Sequence, residues 1–223
     1  MNTHMIRILM RKDLHLVAAP ALAYSAGGAL ALGLMAMPGQ GFYYAGVVLL
    51  ITSLMALGFH PAIATAVGER KGQTLAFVMS LPITPADYTA AKLAVNLLVF
   101  FVPWTVLLLA CIALIHALPW IPDGLIPLAV ILFGVIGASA VVILCVGVAS
   151  ESVPLTILVQ VGTNLVFQGV IFAASNHPVI KAGMAGDTIL WGPTPAYYGV
   201  YAAIALVALA SAVWLQTRKT TFI

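Results

Sequence analysis

Residues 93–118 read LAVNLLVFFVPWTVLLLACIALIHAL, a run without a single Asp, Glu, Lys or Arg. At 1.5 Å per residue, a helix of this length covers about 39 Å, enough to cross a hydrocarbon core ~30 Å thick. In lipid each backbone N–H and C=O must be satisfied within its own segment, so such a run is a helix. The alternating pattern of a membrane barrel is absent.

The same character extends along the chain. Of its 223 residues, 63% are hydrophobic and 7% charged, with mean hydropathy +1.12. Soluble domains carry about 25% charged residues, so a water-soluble globule is excluded. Six apolar spans are legible, at 14–37, 42–67, 93–118, 125–149, 154–175 and 196–216. Between them lie PGQG (38–41), PWIPDG (119–124), SES (150–152) and a longer segment, 176–195, that closes on GPTP. His60-Pro61 inside the second span predicts a kink or a shortened helix. The fold class is therefore all-α, a polytopic protein with one membrane domain over 1–223.

Ahead of the first span, Ile6, Leu9 and Met10 interleave with Arg7, Arg11 and Lys12. The pattern predicts a short amphipathic helix over 1–13 lying in the headgroup plane, the alternative being a simple extension of the first span. The stretch lacks the layout of a cleavable signal peptide. Cys111 and Cys145 lie inside apolar runs and read as small hydrophobes rather than a disulfide or metal site.

Orientation follows the basic residues. Six spans put both ends on one side, and that side holds Arg7, Arg11, Lys12, Arg70, Lys71, Lys92, Arg218 and Lys219. The opposite side holds Lys181 alone. Both termini and the 68–92 loop are thus expected to face the cytoplasm from the inner (plasma) membrane. The net charge of +3 reports topology, and no nucleic-acid partner is implied.

The loop reads GERKGQTLAFVMSLPITPADYTAAK over 68–92 and holds five of the fifteen charged residues. Residues 69–79 are mostly good helix formers, and Pro82 stops that helix. Thr84 then reads as an N-cap, with Pro85 at the first helical position and Asp87 three residues after the cap. The second helix runs on into the third span. Leu75, Phe77, Val78 and Met79 give the first helix an apolar surface that needs lipid, protein or a partner to rest on.

This loop resembles that of the type-two permease family of ATP-binding cassette exporters. The residues that carry the likeness are Glu69, Lys71, Gly72, Thr74, Leu75, Leu81, Pro82 and Lys92, supported by Arg-Lys-Asp at 11–13 and Arg-Lys at 218–219. The resemblance is motif-specific only over this loop. It implies that 68–92 forms a coupling helix docking into a cytoplasmic ATP-binding subunit, through Glu69, Lys71, Gly72, Thr74, Leu75, Phe77, Met79, Leu81 and Pro82. It implies two copies of that ATPase and a second permease, either the same chain or a sister. It also implies short helices in the outer segment 176–195.

The chain carries no G-x-x-x-x-G-K-[ST]. ATP and Mg would accordingly bind the partner, and no cofactor or metal is expected on this chain. It is not expected to be an enzyme: the nearest approaches to a catalytic set, Glu69 with His60 and Glu151 with Ser150 or Ser152, make none.

Polar residues within the spans are few. Gln160, Asn164 and Gln168 fall at i, i+4 and i+8, with Thr156 extending the line and Thr163 flanking it. Such amides either join helices, including a permease–permease seam, or line a substrate route. Asn96 and His60 are weaker candidates of the same kind, His60 reading best as a partner for a backbone carbonyl freed by Pro61. No ionisable group apart from histidine is read mid-span, which counts against ion coupling. A non-ATP-driven scaffold or secondary carrier is the alternative. Gly134, Gly137, Ala138 and Ser139 in the fourth span, and Ala26, Gly27 and Gly28 in the first, predict close helix packing. Trp191, Tyr197 and Tyr198 suit an outer aromatic belt.

Overall fold

The computed structural model describes residues 3–67, 84–184 and 186–218. The nine coupling positions from Glu69 to Pro82 lie outside the described residues. The described chain forms α1 (Thr3–Met35), α2 (Gln40–Pro61), α3 (Pro85–Ala117), α4 (Ile126–Ser150), α5 (Val153–Asn176), α6 (Pro178–Met184) and α7 (Thr194–Thr217). A π-helical turn, Ala62–Val67, prolongs α2, and a 3₁₀ turn, Asp123–Leu125, leads into α4. All of these but α6 and the two turns are long and apolar enough to cross a membrane, six helices in all. The chain is a multi-pass, all-α membrane protein.

The N-terminal segment differs from expectation. Residues 3–13 form no separate helix: α1 runs unbroken from Thr3 to Met35. Nothing between Thr3 and Ala19 breaks a helix, since neither Gly nor Pro occurs there. At 33 residues, α1 is about 50 Å long and outreaches a ~30 Å hydrocarbon core.

The start of α3 follows its local signals. Thr84 caps it, accepting from the Asp87 backbone N–H at 3.2 Å, while the Thr84 N–H donates to Asp87 Oδ2 at 3.3 Å. This reciprocal box satisfies two otherwise orphaned donors, and Pro85 occupies the first turn, where its missing N–H costs nothing. At the far end of α2, Pro61 has no N–H to donate, and the helix relaxes into the π-helical turn beyond it. The Thr65 hydroxyl donates to the Pro61 carbonyl at 2.8 Å, so the irregular turn is internally bonded.

At the centre stands α4, packed against α2, α3, α5 and α7 and buried over most of its length. Lipid gives helices no hydrophobic reason to associate, so close approach relies on small residues. Gly134 admits the rings of Tyr201 and Tyr198, Gly137 faces Phe101 and Trp104, and Gly58 of α2 meets Ala140. On α1, Gly27 faces Ser53 and Gly28 faces Leu107. The close packing expected at Gly134, Gly137, Gly27 and Gly28 is present.

Glu151 ends α4 in the left-handed region (φ 51°), letting the chain enter α5 two residues later. At the opposite end of the bundle, Gly124 donates its N–H to Gly186 at 3.1 Å and lies directly against Gly183 of α6. The Tyr198 hydroxyl donates to the Val130 carbonyl at 3.0 Å, which turns the half-buried ring toward α4. Trp191 is exposed, as expected of a belt residue. Both cysteines are buried and free.

Candidate functional site

Among the described residues, polar side chains within the helix bundle gather in three places of interest. The first is a node where α1, α2 and α3 meet. Asp13 of α1 and Lys92 of α3 form an ion pair, Nζ to Oδ2 2.7 Å, with each side chain 1% exposed. Lys12 lies 3.7 Å from the same carboxylate, and the Lys92 ammonium stands 5.3 Å over the Tyr88 ring. One turn further along α3, Asn96 donates to Thr65 Oγ1 and to the Lys92 carbonyl, both at 2.8 Å. Tyr88, Lys92 and Asn96 are spaced i, i+4, i+8 and so share one helical face. That face ties the first span and the π-helical turn to the third.

The ion pair is the feature sequence reasoning missed. Asp13 and Lys92 were each legible as charges at span ends, and both belong to the residues that carry the family likeness. Their pairing joins positions 79 apart in sequence, which no local spacing reveals. The i, i+4, i+8 run on α3 was visible and is the signal that could have found the node.

The second place is α5. Gln160 Nε2 donates to Asn164 Oδ1 at 3.2 Å, and both line a narrow cleft with Thr163, closed on the other side by Leu54, Met55 and Gly58 of α2 and Ser139 of α4. Gln160 Oε1 is buried without a donor among the described residues. Asn164 and Gln168 are exposed. Thr156 does not continue this line: it is fully buried and donates to the Ser152 carbonyl at 2.8 Å. The reason is geometric, since each four-residue step advances about 40° around a helix, and three steps carry the line from the packed face at Thr156 to the open face at Gln168.

The third is His60, whose Nδ1 lies 2.9 Å from the Tyr24 hydroxyl of α1. Its partner is thus a side chain, not the freed carbonyl expected from Pro61. Asn96 lines a second cleft, bounded by Pro61, Phe100, Phe101 and Leu144. Both clefts include Gly58 and Ala140, so that close contact is their common wall. The structure therefore joins Gln160 with Asn164, leaves Gln168 outside, and places Asn96 across the wall from them.

These arrangements consist of an ion pair and hydrogen bonds within and between helices. No group of three or more His, Cys, Asp or Glu that could hold a metal occurs among the described residues. Neither a protein-family profile, nor a curated protein, nor a solved structure matches the chain.

Proposed function

We propose that this chain is the membrane-spanning permease subunit of an ATP-binding cassette exporter. It would move a small or amphipathic substrate out of the cytoplasm by alternating access, driven by a separate ATPase. The observation that carries the reading is the motif over 68–92, from Glu69 through Leu81-Pro82 to Lys92. Two structural features support it. The cap at Thr84 starts α3 just after Leu81-Pro82, and Lys92, the motif's last residue, is ion-paired with Asp13 of α1. A push on the loop would thus reach two spans at once as a rigid-body movement. The amides of α5 give the transport reading a polar surface that lipid cannot satisfy, suited to a second permease or to a route between two of them.

In this reading both termini and the loop face the cytoplasm, two ATPase copies dock on residues 69–82, and the permease works as a homodimer or with a sister chain. A secondary carrier is the second reading, favoured by the buried Asp13–Lys92 pair, since carriers hold ionisable groups within their spans. The pair lies at the edge of the bilayer: Asp13 is 22 residues from the end of α1, about 33 Å along its axis. That position suits a structural tie better than a mid-membrane relay.

The test is a mild-detergent pull-down of the chain from its native membrane, assayed for ATPase activity. A co-purifying subunit with a phosphate-binding loop is expected, lost when Leu75, Phe77 and Met79 are each changed to Ser. Glu69→Ala is expected to leave the protein folded while ATP hydrolysis no longer drives transport. Recovery of the chain alone, without ATPase, would overturn the exporter reading in favour of a carrier or scaffold.

A further inference from the structure

We infer that the groove between α1 and α3 is a binding site for one anionic phospholipid, held as a resident lipid rather than as cargo. Its cavity of about 1100 Å³ slightly exceeds the 300–1,000 Å³ usual for a small-molecule pocket. Val95 and Val99 of α3 line its floor, buried and packed beneath it against Val17 of α1. Its walls include Leu14 and Leu22 on one side and Leu98, Val102 and Val106 on the other, each at least half exposed. From Ile6 to Ser25 the groove follows α1 for about 28 Å, a length suited to an acyl chain lying along the helices.

One end of this apolar channel is charged. Arg7 and Arg11, one turn apart on α1, both line it and both are exposed. Neither has a carboxylate within ion-pair distance among the described residues. Because α1 outreaches the hydrocarbon core, its first turns lie at headgroup depth while Leu14 to Ser25 lie among the acyl chains. Two guanidiniums above a greasy channel match a phosphate above a chain, and guanidinium binds phosphate through paired hydrogen bonds.

A second copy of the chain would fit less well. The described carboxylates at this end, Asp13, Asp87 and Glu151, are all buried, so among the described residues a docking copy would bring no exposed anion to Arg7 and Arg11. An anionic lipid brings one. The inference is independent of the exporter reading, because it needs only α1, α3 and a bilayer.

The experiment uses the whole chain, purified in mild detergent as it comes from the membrane, and offered an equimolar mixture of phosphatidylglycerol and phosphatidylcholine with matched acyl chains. Native mass spectrometry counts the lipids retained. A surface Arg favours an anionic headgroup about fivefold, so two should give a roughly thirtyfold preference for one phosphatidylglycerol per chain. R7Q/R11Q should abolish the preference and R7K/R11K should keep most of it. Val102→Trp, which fills the channel without touching the charges, should lower retention of both lipids. Equal retention of the two lipids by the unaltered chain, or an unchanged preference in R7Q/R11Q, overturns the site. So does efficient disulfide cross-linking between two copies carrying Val102→Cys in native membranes, which would mean that a second copy fills the groove.

Discussion

Replacing Lys92 by Met probes the node at the base of α1 and α3. The ammonium and the Asp13 carboxylate are 2.7 Å apart, and each is 1% exposed. At an effective dielectric of ~20 their attraction is about 6 kcal/mol, while removing each ion from water costs several kcal/mol, so the intact pair contributes little net stability. Breaking it is another matter. Lys92→Met fills about the same volume but takes the ammonium at 2.7 Å away from the buried Asp13 carboxylate, while the half-exposed Lys12 stands further off at 3.7 Å. A loss of about 3–5 kcal/mol follows. For a chain of this size that is a fall in Tm of about 6–20 °C. The decisive comparison is the double variant Asp13→Leu with Lys92→Met, which removes both charges and should recover to within about 1–2 kcal/mol of the parent. Thermal unfolding of all variants in one detergent, followed by near-UV circular dichroism, reads the cycle. A loss below ~1 kcal/mol in Lys92→Met, or a double variant no better than the single, would refute the claim that this pair is dry and mutually dependent.

Three further outcomes are expected. Gly124→Ala places a Cβ in collision with the Gly183 carbonyl oxygen, a backbone atom that cannot swing aside, and should cost about 3 kcal/mol or more in thermal stability. Gly162→Ala, on α5 with nothing within 4 Å of the new methyl, should leave stability unchanged or raise it by up to ~1 kcal/mol through helix propensity alone. Thr65→Val removes the acceptor for Asn96 Nδ2 and the hydroxyl that bonds the Pro61 carbonyl, and should cost about 1–3 kcal/mol in the same unfolding measurement.

What was legible in the sequence was local. The span at 93–118 announces itself by length and lack of charge, and the Thr84–Asp87 box closes within one turn, so no distant residue is needed to form it. The short helix expected in the outer segment stands at Pro178–Met184. Expectations failed where two elements had to be known together. His60 chose the Tyr24 hydroxyl on another helix over a nearby carbonyl, and the Asp13–Lys92 pair joins residues 79 positions apart on two helices. The 1–13 segment fails for a different reason: its amphipathic pattern is real, but periodicity states which faces differ in polarity and not where the helix axis bends. With no breaker before Pro20, the axis continues.

The contrast between the polar node and the α5 amides carries the argument about assembly one step further. Around Lys92 most polar atoms meet partners inside the chain, across three helices, although Asn96 Oδ1 has none among the described residues. On α5 the Gln160–Asn164 bond links two residues of the same helix, and Asn164 and Gln168 turn outward. Hydrogen bonds between membrane helices are worth only about 0.6–2 kcal/mol each, so they hold an interface chiefly by making its absence costly. An amide left facing hydrocarbon is such a cost. The chain thus spends most of the polar contacts around Lys92 on fixing α1 to α3, and leaves amides exposed on α5, a helix bare over most of its length. Under the exporter reading these are the two jobs a permease divides among its helices: a braced lever where the ATPase pushes, and a surface that closes only against another permease or a polar cargo.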